Sequence, residues 1–544
     1  MQPFLPDLEQ LSLAELVAQL IAVRTTGHLF DHEIEYPQWE ATQTDLQHWL
    51  GELGMGGVIL LGGSAAEVGL RSQQLQSWAK YPLLIAADVE EGVGQRFSGA
   101  TWFPPPMALA EIAQTDLAQA LDYAEQMGRY TAQEAMAIGL NWLLAPVVDV
   151  NNNPVNPVIN VRAFGDRAEC VSQLSTAYIR GAQALPVLTT AKHFPGHGDT
   201  AVDSHLSLPV VPHSFERLQQ LELAPFKAAI AAGVDSVMTA HLLLPQLDSQ
   251  YPATLSKATL TGLLRQDLGF DGLIVTDALV MGAIAQQYGP YEAAVLAVAA
   301  GADILLMPAD PVGTIEALCE AVRVGRLSQA QIRTSVERIW RAKYKTGSVD
   351  SAPSCHAWEQ SHPIPVELNQ IAQPAAQQLQ QQLLSTAQRQ QGDPLRPVAG
   401  PKRNLILVDD LIGCRYLPRT APALTQPTQQ GYELCLVDSR WPSQAISANC
   451  PTLLQLFIRG NPFRSSASLT QLAVDYLTTL LAADHLQALV VYGSPYAFEQ
   501  LSQKLPSSIP CRFSYGQMPA AQAQILRSLL TSSAPAPLNT SFTD

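Results

Sequence analysis

Along the first 350 or so residues, short runs of apolar positions alternate with longer segments in which apolar residues recur every three or four places. The short runs lie at 16–23, 57–61, 83–87, 143–147, 187–191, 236–240, 272–276 and 304–308, and the helix-period segments include 113–139, 215–232, 256–268 and 291–300. A brief continuous apolar run suits a strand buried on both faces, and strand–helix alternation implies a parallel sheet covered by helices. Up to eight such runs within residues 1–350 predict a (β/α)8 barrel. Periodicity alone leaves a doubly wound open sheet as the other arrangement. The run at 16–23 is ambiguous as a strand, because it overlaps the helical pattern of the N-terminus.

The character changes after residue 345. Segment 351–403 reads as a linker: a Ser/Pro-rich stretch, a helix rich in Gln and Ala at 367–391, and a second stretch with Pro394, Pro397, Gly400 and Pro401. An α/β rhythm resumes over 404–530, with strand-like runs at 405–408, 434–437, 453–458 and 488–492 and an amphipathic helix at 471–483. This predicts a smaller C-terminal α/β sandwich with a mainly parallel sheet, followed by a flexible tail at 531–544. Asp409-Asp410 and Tyr492-Gly493-Ser494 follow strands there and read as strand-end turns.

A barrel places its chemistry at strand C-termini. Asp88, the 151–162 segment, Lys192-His193, His241 and Asp277 all follow predicted strands. The densest chemistry is Lys192 to Pro209, KHFPGHGDTAVDSHLSLP, which holds three of the chain's eleven histidines in a loop broken by Gly and Pro. Within it, Asp203-Ser204-His205 places a carboxylate two residues from an imidazole, on one side of an extended segment. Such a carboxylate fixes the ring tautomer and raises its basicity, which suits a general acid/base. His193 and His197, four apart, would hold a metal only on a helix; Pro195 and Gly196 between them argue against it, so no metal is expected. Asp277 closes a buried-looking strand and suits a nucleophile, its alternative being the N-cap of the next helix. Asp88, Arg96, Arg162, Lys192 and His193 supply the polar groups a sugar needs; each singly is as readily an ordinary ion pair.

Composition narrows the function. A net charge of -16 and a pI near 5.1 argue against nucleic acid or an anionic membrane as partner. Seven cysteines, an odd number with no CxxC pair, suit free thiols in a reducing compartment. No basic n-region precedes the first apolar segment and no run reaches about 18 apolar residues, so a cytoplasmic location without membrane insertion is expected.

These motifs resemble glycoside hydrolase family 3, and within it the β-N-acetylglucosaminidases (β-hexosaminidases of peptidoglycan recycling). The likeness spans most of residues 10–345. It is carried by Lys192-His193-Phe194-Pro195-Gly196-His197-Gly198-Asp199-Thr200 with Asp203-Ser204-His205, by Thr276-Asp277-Ala278-Leu279 with Met281, by the segment from Asn151 to Phe164, and by Asp88 and Glu90 through Arg96. Family 3 β-glucosidases lack the Asp-Ser-His loop. The resemblance implies Asp277 as nucleophile, His205 as acid/base, Asp203 as its partner, and Asp88, Arg96, Arg162, Lys192 and His193 as substrate-binding groups. It further implies a small carbohydrate substrate, N-acetylglucosamine β-1,4-linked to a muramic-type sugar, no cofactor, and a monomer or weak dimer. The sequence departs at Glu90-Glu91-Gly92, where the family has Glu-Gly-Gly, so the loop before Arg96 carries an additional acid. A phosphorylase using the same fold, a β-glucosidase, and a catalytically idle carbohydrate-binding scaffold are the competing readings.

Overall fold

The computed structural model describes residues 5–204, 206–347, 365–395, 400–440, 450–460 and 467–530. The chain divides into two compact units, the first running to Leu383 and the second beginning at Leu384.

The first unit is a (β/α)8 barrel. Its strands are β1 (Ile21–Thr26), β2 (Gly57–Leu61), β3 (Leu84–Ala87), β4 (Trp142–Leu143), β5 (Thr190–Phe194), β6 (Ser236–Thr239), β7 (Leu273–Val275) and β8 (Leu305–Leu306). They form one parallel group in the order β4-β3-β2-β1-β8 and another in the order β5-β6-β7. Parallel bridges Trp142–Leu188 and Val275–Ile304 join the two groups at both seams and close the ring. The strand residues are buried almost without exception, which is why they read as continuous apolar runs. Inside the barrel, the Trp142 Nε1 donates to Thr190 Oγ1 at 2.9 Å and Ser236 Oγ at 3.1 Å, tying β4 to β5 and β6 through satisfied polar groups.

Several element boundaries differ from the apolar pattern, each for a local reason. The run 16–23 is the end of helix Leu13–Ala18 followed by β1, which reaches on to Thr26. The segment 215–232 is two helices, Phe215–Gln220 and Ala224–Ala231, and Pro225 lies in the first turn of the second. The segment 113–139 likewise begins a new helix at Leu117, whose N-cap Asp116 accepts from Gln119 N.

The second unit is a six-stranded sheet. Parallel strands β10 (Lys402–Val408), β11 (Tyr432–Asp438), β12 (Thr452–Ile458), β13 (Leu486–Gly493) and β14 (Cys511–Ser514) lie in the order β11-β10-β12-β13-β14. An antiparallel edge strand, β9 (Arg389–Gln391), pairs with β14 and follows helix Pro374–Thr386. Ile406, Leu453, Phe457, Val490, Tyr492, Ile525 and Leu529 form its core. Asp410 accepts from Gly413 N at 2.7 Å and Ser494 caps helix Pro495–Ser502, so these strand-end groups serve turns and caps.

Candidate active site

At the C-terminal mouth of the barrel the end of β3, the turn Asn160–Arg162 beyond β4 and the end of β5 bring four charges into contact. Lys192 Nζ lies 2.6 Å from Asp88 Oδ1 and 2.7 Å from Glu90 Oε1. Arg162 grips Glu90 with two parallel bonds, Nε to Oε2 and Nη2 to Oε1, both 2.8 Å. Lys192 and Glu90 are almost wholly buried, whereas the Asp88 side chain keeps 30% of its surface and so faces the open mouth. Burial alone would raise both carboxyls. The Lys192 and Arg96 charges hold Asp88 below its ordinary range, and Arg162 with Lys192 holds Glu90 well below it. Both therefore stand as ionised acceptors at neutral pH.

Beside this network, Asp149 organises the loop that follows β5. Fully buried, it accepts from His193 Nδ1 at 2.8 Å and from the backbone N–H groups of His193 (3.2 Å) and His197 (2.7 Å). The His193 Nε2 is 3.5 Å from Arg162 Nη2, which links the two clusters. Between Lys192 and Phe194 the ladder with β6 slips, so both Lys192 and His193 are turned into the buried site region. Gly198 permits a close crossing: a Cβ there would lie 1.7 Å from the Val150 carbonyl oxygen. Asn156 Nδ2 satisfies the carbonyls of His197 (2.8 Å) and Gly198 (2.9 Å), fastening the 151–162 segment to the histidine loop.

His197 has both ring nitrogens engaged, Nδ1 with Thr200 Oγ1 and Nε2 with Ser204 Oγ, each at 2.9 Å. Burial pushes its pKa down to about 4 against the opposing charge of Asp149, with a smaller opposing contribution from Asp277. It is a neutral staple that holds the loop carrying Asp203-Ser204. Asp203 is buried in that loop. His205 lies outside the described residues.

Asp277 follows β7, half-buried, with Oδ1 accepting from Ala278 N at 2.8 Å. The next helix begins at Gly282 with Met281 as its N-cap residue, so Asp277 does not cap it. Buried His241, from the end of β6, fixes this segment through Nε2 to the Ala278 carbonyl at 3.1 Å and through Nδ1 to Thr254 Oγ1 at 2.8 Å.

Of the residues singled out from sequence, Asp88, Arg162, Lys192 and His193 are thus brought together. Arg96 is tied to the same loop by its Nε bond to the Asp88 carbonyl at 3.0 Å. The additional acid, Glu91, turns inward and accepts from Trp102 Nε1 at 2.9 Å, which keeps it out of the mouth. Sequence reasoning does not single out Glu90, Asp149, Asn156 and His197 as site residues. Asp149 carried one usable signal, a lone acid within the apolar stretch Val147-Val148-Asp149-Val150.

The model of the glycosyl hydrolase family 3 N-terminal domain matches residues 12–342, and that of the bacterial family 3 C-terminal domain matches residues 399–531. The chain belongs to glycosyl hydrolase family 3. A beta-hexosaminidase A of Pseudoalteromonas piscicida is 39% identical over 309 residues, 52% of this chain and 51% of that protein. A beta-N-acetylglucosaminidase/beta-glucosidase of Cellulomonas fimi is 33% identical over 305 residues, 54% and 53% of the two chains. The chain spans about half the length of these two relatives. Among solved structures, a family 3 beta-N-acetylglucosaminidase from Paenibacillus sp. str. FPU-7 matches with a TM-score of 0.76 and 30% identity, over 96% of this chain and 97% of that one. Among the described residues no helix is long and apolar enough to cross a membrane.

Proposed function

We propose that the protein is a retaining exo-β-N-acetylglucosaminidase. The observation that carries this reading is the convergence at one barrel mouth of the Asp88–Lys192–Glu90–Arg162 network, the Asp149–His193 pair and Asp277. The N-acetylglucosaminide as substrate class is supported by the family 3 beta-N-acetylglucosaminidase structure and by the Cellulomonas fimi relative, whose name joins beta-N-acetylglucosaminidase with beta-glucosidase.

In this account, Asp88, Lys192, Arg162, His193 and Arg96 hold the terminal N-acetylglucosamine through its hydroxyl groups. Asp277 attacks the anomeric carbon as the bond to the leaving oxygen breaks, and His205, supported by Asp203, gives that oxygen its proton. The same imidazole then takes a proton from water, which opens the glycosyl ester of Asp277 with retention. The protonation states of the neighbours support this division of labour. Asp88 and Glu90 are held ionised and neutral His197 has both nitrogens occupied, so none is a ready proton donor at neutral pH. The proposed donor is His205 of the Asp203-Ser204-His205 loop.

We further propose that the substrate is a peptidoglycan fragment, N-acetylglucosamine β-1,4-linked to N-acetylmuramic acid or its anhydro form, recycled in the cytoplasm. Free thiols at Cys170, Cys319, Cys414, Cys435, Cys450 and Cys511 suit such a reducing setting. We propose a catalytic barrel at 1–350, a connection at 351–403 whose later part contributes β9 and the start of β10 to the C-terminal sheet, and a C-terminal α/β domain at 404–530.

Product analysis tests the reaction. In phosphate buffer, proton NMR of the GlcNAc-β-1,4-anhydroMurNAc digest should show free N-acetylglucosamine, released first as the β-anomer. N-acetylglucosamine 1-phosphate as the main product would make the enzyme a phosphorylase, and first release of the α-anomer would rule out retention.

A further inference from the structure

The loop that carries the Asp203-Ser204-His205 dyad leaves the barrel after β5 and returns at helix Phe215–Gln220. Its two stems are joined by charges that the reaction itself does not use. Asp199, on the outgoing stem, lies 2.9 Å from His213 Nε2 on the returning one. The Arg217 Nη2 is 3.5 Å from the same Asp199 oxygen and 3.1 Å from Glu222 Oε1. The Glu222 side chain is 3% exposed and lies directly beneath the Pro195-Gly196 turn: a Cβ on Gly196 would meet the Glu222 Cβ at 2.8 Å. The returning stem is further pinned by backbone bonds between Val211 N and the Leu243 carbonyl and between Leu243 N and the Pro209 carbonyl, each 2.9 Å.

Asp199, His213 and Glu222 are also close enough together to hold a metal ion. Arg217 already stands between the two carboxylates and supplies the positive charge a cation would bring. The arrangement is therefore an ion-paired clamp, and it is an incomplete one. Burial raises the Glu222 carboxyl despite Arg217, and Glu222 Oε2 has no hydrogen-bond partner among the described residues. A buried acid left half-satisfied costs stability, which a loop-fastening role would justify.

We propose that His213, with Asp199, Arg217 and Glu222, positions the acid/base loop, so that the dyad meets the glycosidic oxygen in register. This rests on the assignment of Asp203 and His205 to proton transfer. General acid catalysis contributes on the order of 10²- to 10⁴-fold and needs hydrogen-bond distance, so a loosened loop loses much of that factor. The loss depends on the substrate. A disaccharide leaves as an alkoxide that needs its proton in the transition state, whereas 2,4-dinitrophenolate needs almost none.

The test compares kcat/KM, which reports the glycosylation step, for chitobiose and for 2,4-dinitrophenyl β-N-acetylglucosaminide. The variants are His213→Ala, His213→Gln and Asp203→Asn. His213→Ala should lose on the order of tenfold or more on chitobiose and less than about threefold on the dinitrophenyl glycoside. His213→Gln, which keeps a donor towards Asp199, should recover most of the loss. If His213→Ala loses equally on both substrates, or on neither, the clamp is overturned. If Asp203→Asn shows no such split, the acid/base assignment fails instead. If Asp203→Asn splits the substrates and His213→Ala does not, only the clamp falls.

Discussion

Asp277→Ala should lower kcat/KM for β-N-acetylglucosaminides on the order of 10⁴-fold or more while leaving the fold intact. The side chain follows β7 at the rim and bonds to the adjacent Ala278 N, so its removal opens no cavity in the barrel core. His241 continues to hold the Ala278 carbonyl, and the segment keeps its course. What is lost is the atom that bonds to the anomeric carbon. Sodium azide supplies a substitute: a small anion entering the vacated space attacks the same face and yields the α-glycosyl azide. Partial recovery of turnover with that product, identified by NMR, is the expected result. Retention of more than a tenth of wild-type activity would remove Asp277 from the nucleophile's role.

Glu90→Gln should be the most damaging of the substrate-network changes. The wild-type carboxylate takes one bond from Lys192 and two from Arg162 in a site from which water is largely excluded. The neutral amide leaves buried Lys192 and partly buried Arg162 with only Asp88 and Asp149 as nearby counter-charges, and breaking a buried ion pair from one side costs about 3–5 kcal/mol. The loss should appear in both KM and kcat, because Lys192 and Arg162 lose their fixed positions. Chemical denaturation should show it as well. The Glu90 carboxyl is held well below its ordinary range, so its stabilising contribution is present above the unfolded-state value and fades as pH falls towards the folded one. The stability gap between wild type and variant should therefore be widest near neutrality and narrow below about pH 4. A gap that is constant with pH would mean that Glu90 acts by packing alone.

Most of the barrel was legible because its strands are buried on both faces, so apolar runs mark them directly. The misplacements come from places where that rule blurs. Helix Leu13–Ala18 runs into β1 with no polar break long enough to separate them. In the run 143–147, the strand stops at Leu143, ahead of Pro146, which has no N–H to give to a ladder. Strands β9 and β14 escaped notice: β9 is polar, and β14 contains buried Arg512, whose guanidinium bonds the carbonyls of Gln391, Gly392 and Cys511. The charge that hides the strand in the sequence joins it to its neighbour in the fold.

The candidate site is marked in the sequence where several chemical residues cluster in one loop, as in the stretch from Lys192, whose Lys192 and His193 the fold brings beside Asp88 and Arg162. It was not legible where a single residue serves several partners. Asp149 receives one ring N–H and two backbone N–H groups, and that work depends on the crossing of Gly198 over Val150. Glu90 stood in plain view, but only the approach of β3 to β5 shows that it, with Asp88, sets the position of Lys192.

Specificity for a terminal N-acetylglucosamine is decided by a single pair of substrates. The wild-type enzyme is assayed for kcat/KM on 4-nitrophenyl β-N-acetylglucosaminide and on 4-nitrophenyl β-glucoside, which share a leaving group and differ at the 2-position. A preference on the order of 100-fold or more for the N-acetyl sugar is predicted, in the range that a site built around one substituent can reach. Equal turnover, or preference for the glucoside, would contradict it and leave the chain as a family 3 glycosidase of another specificity.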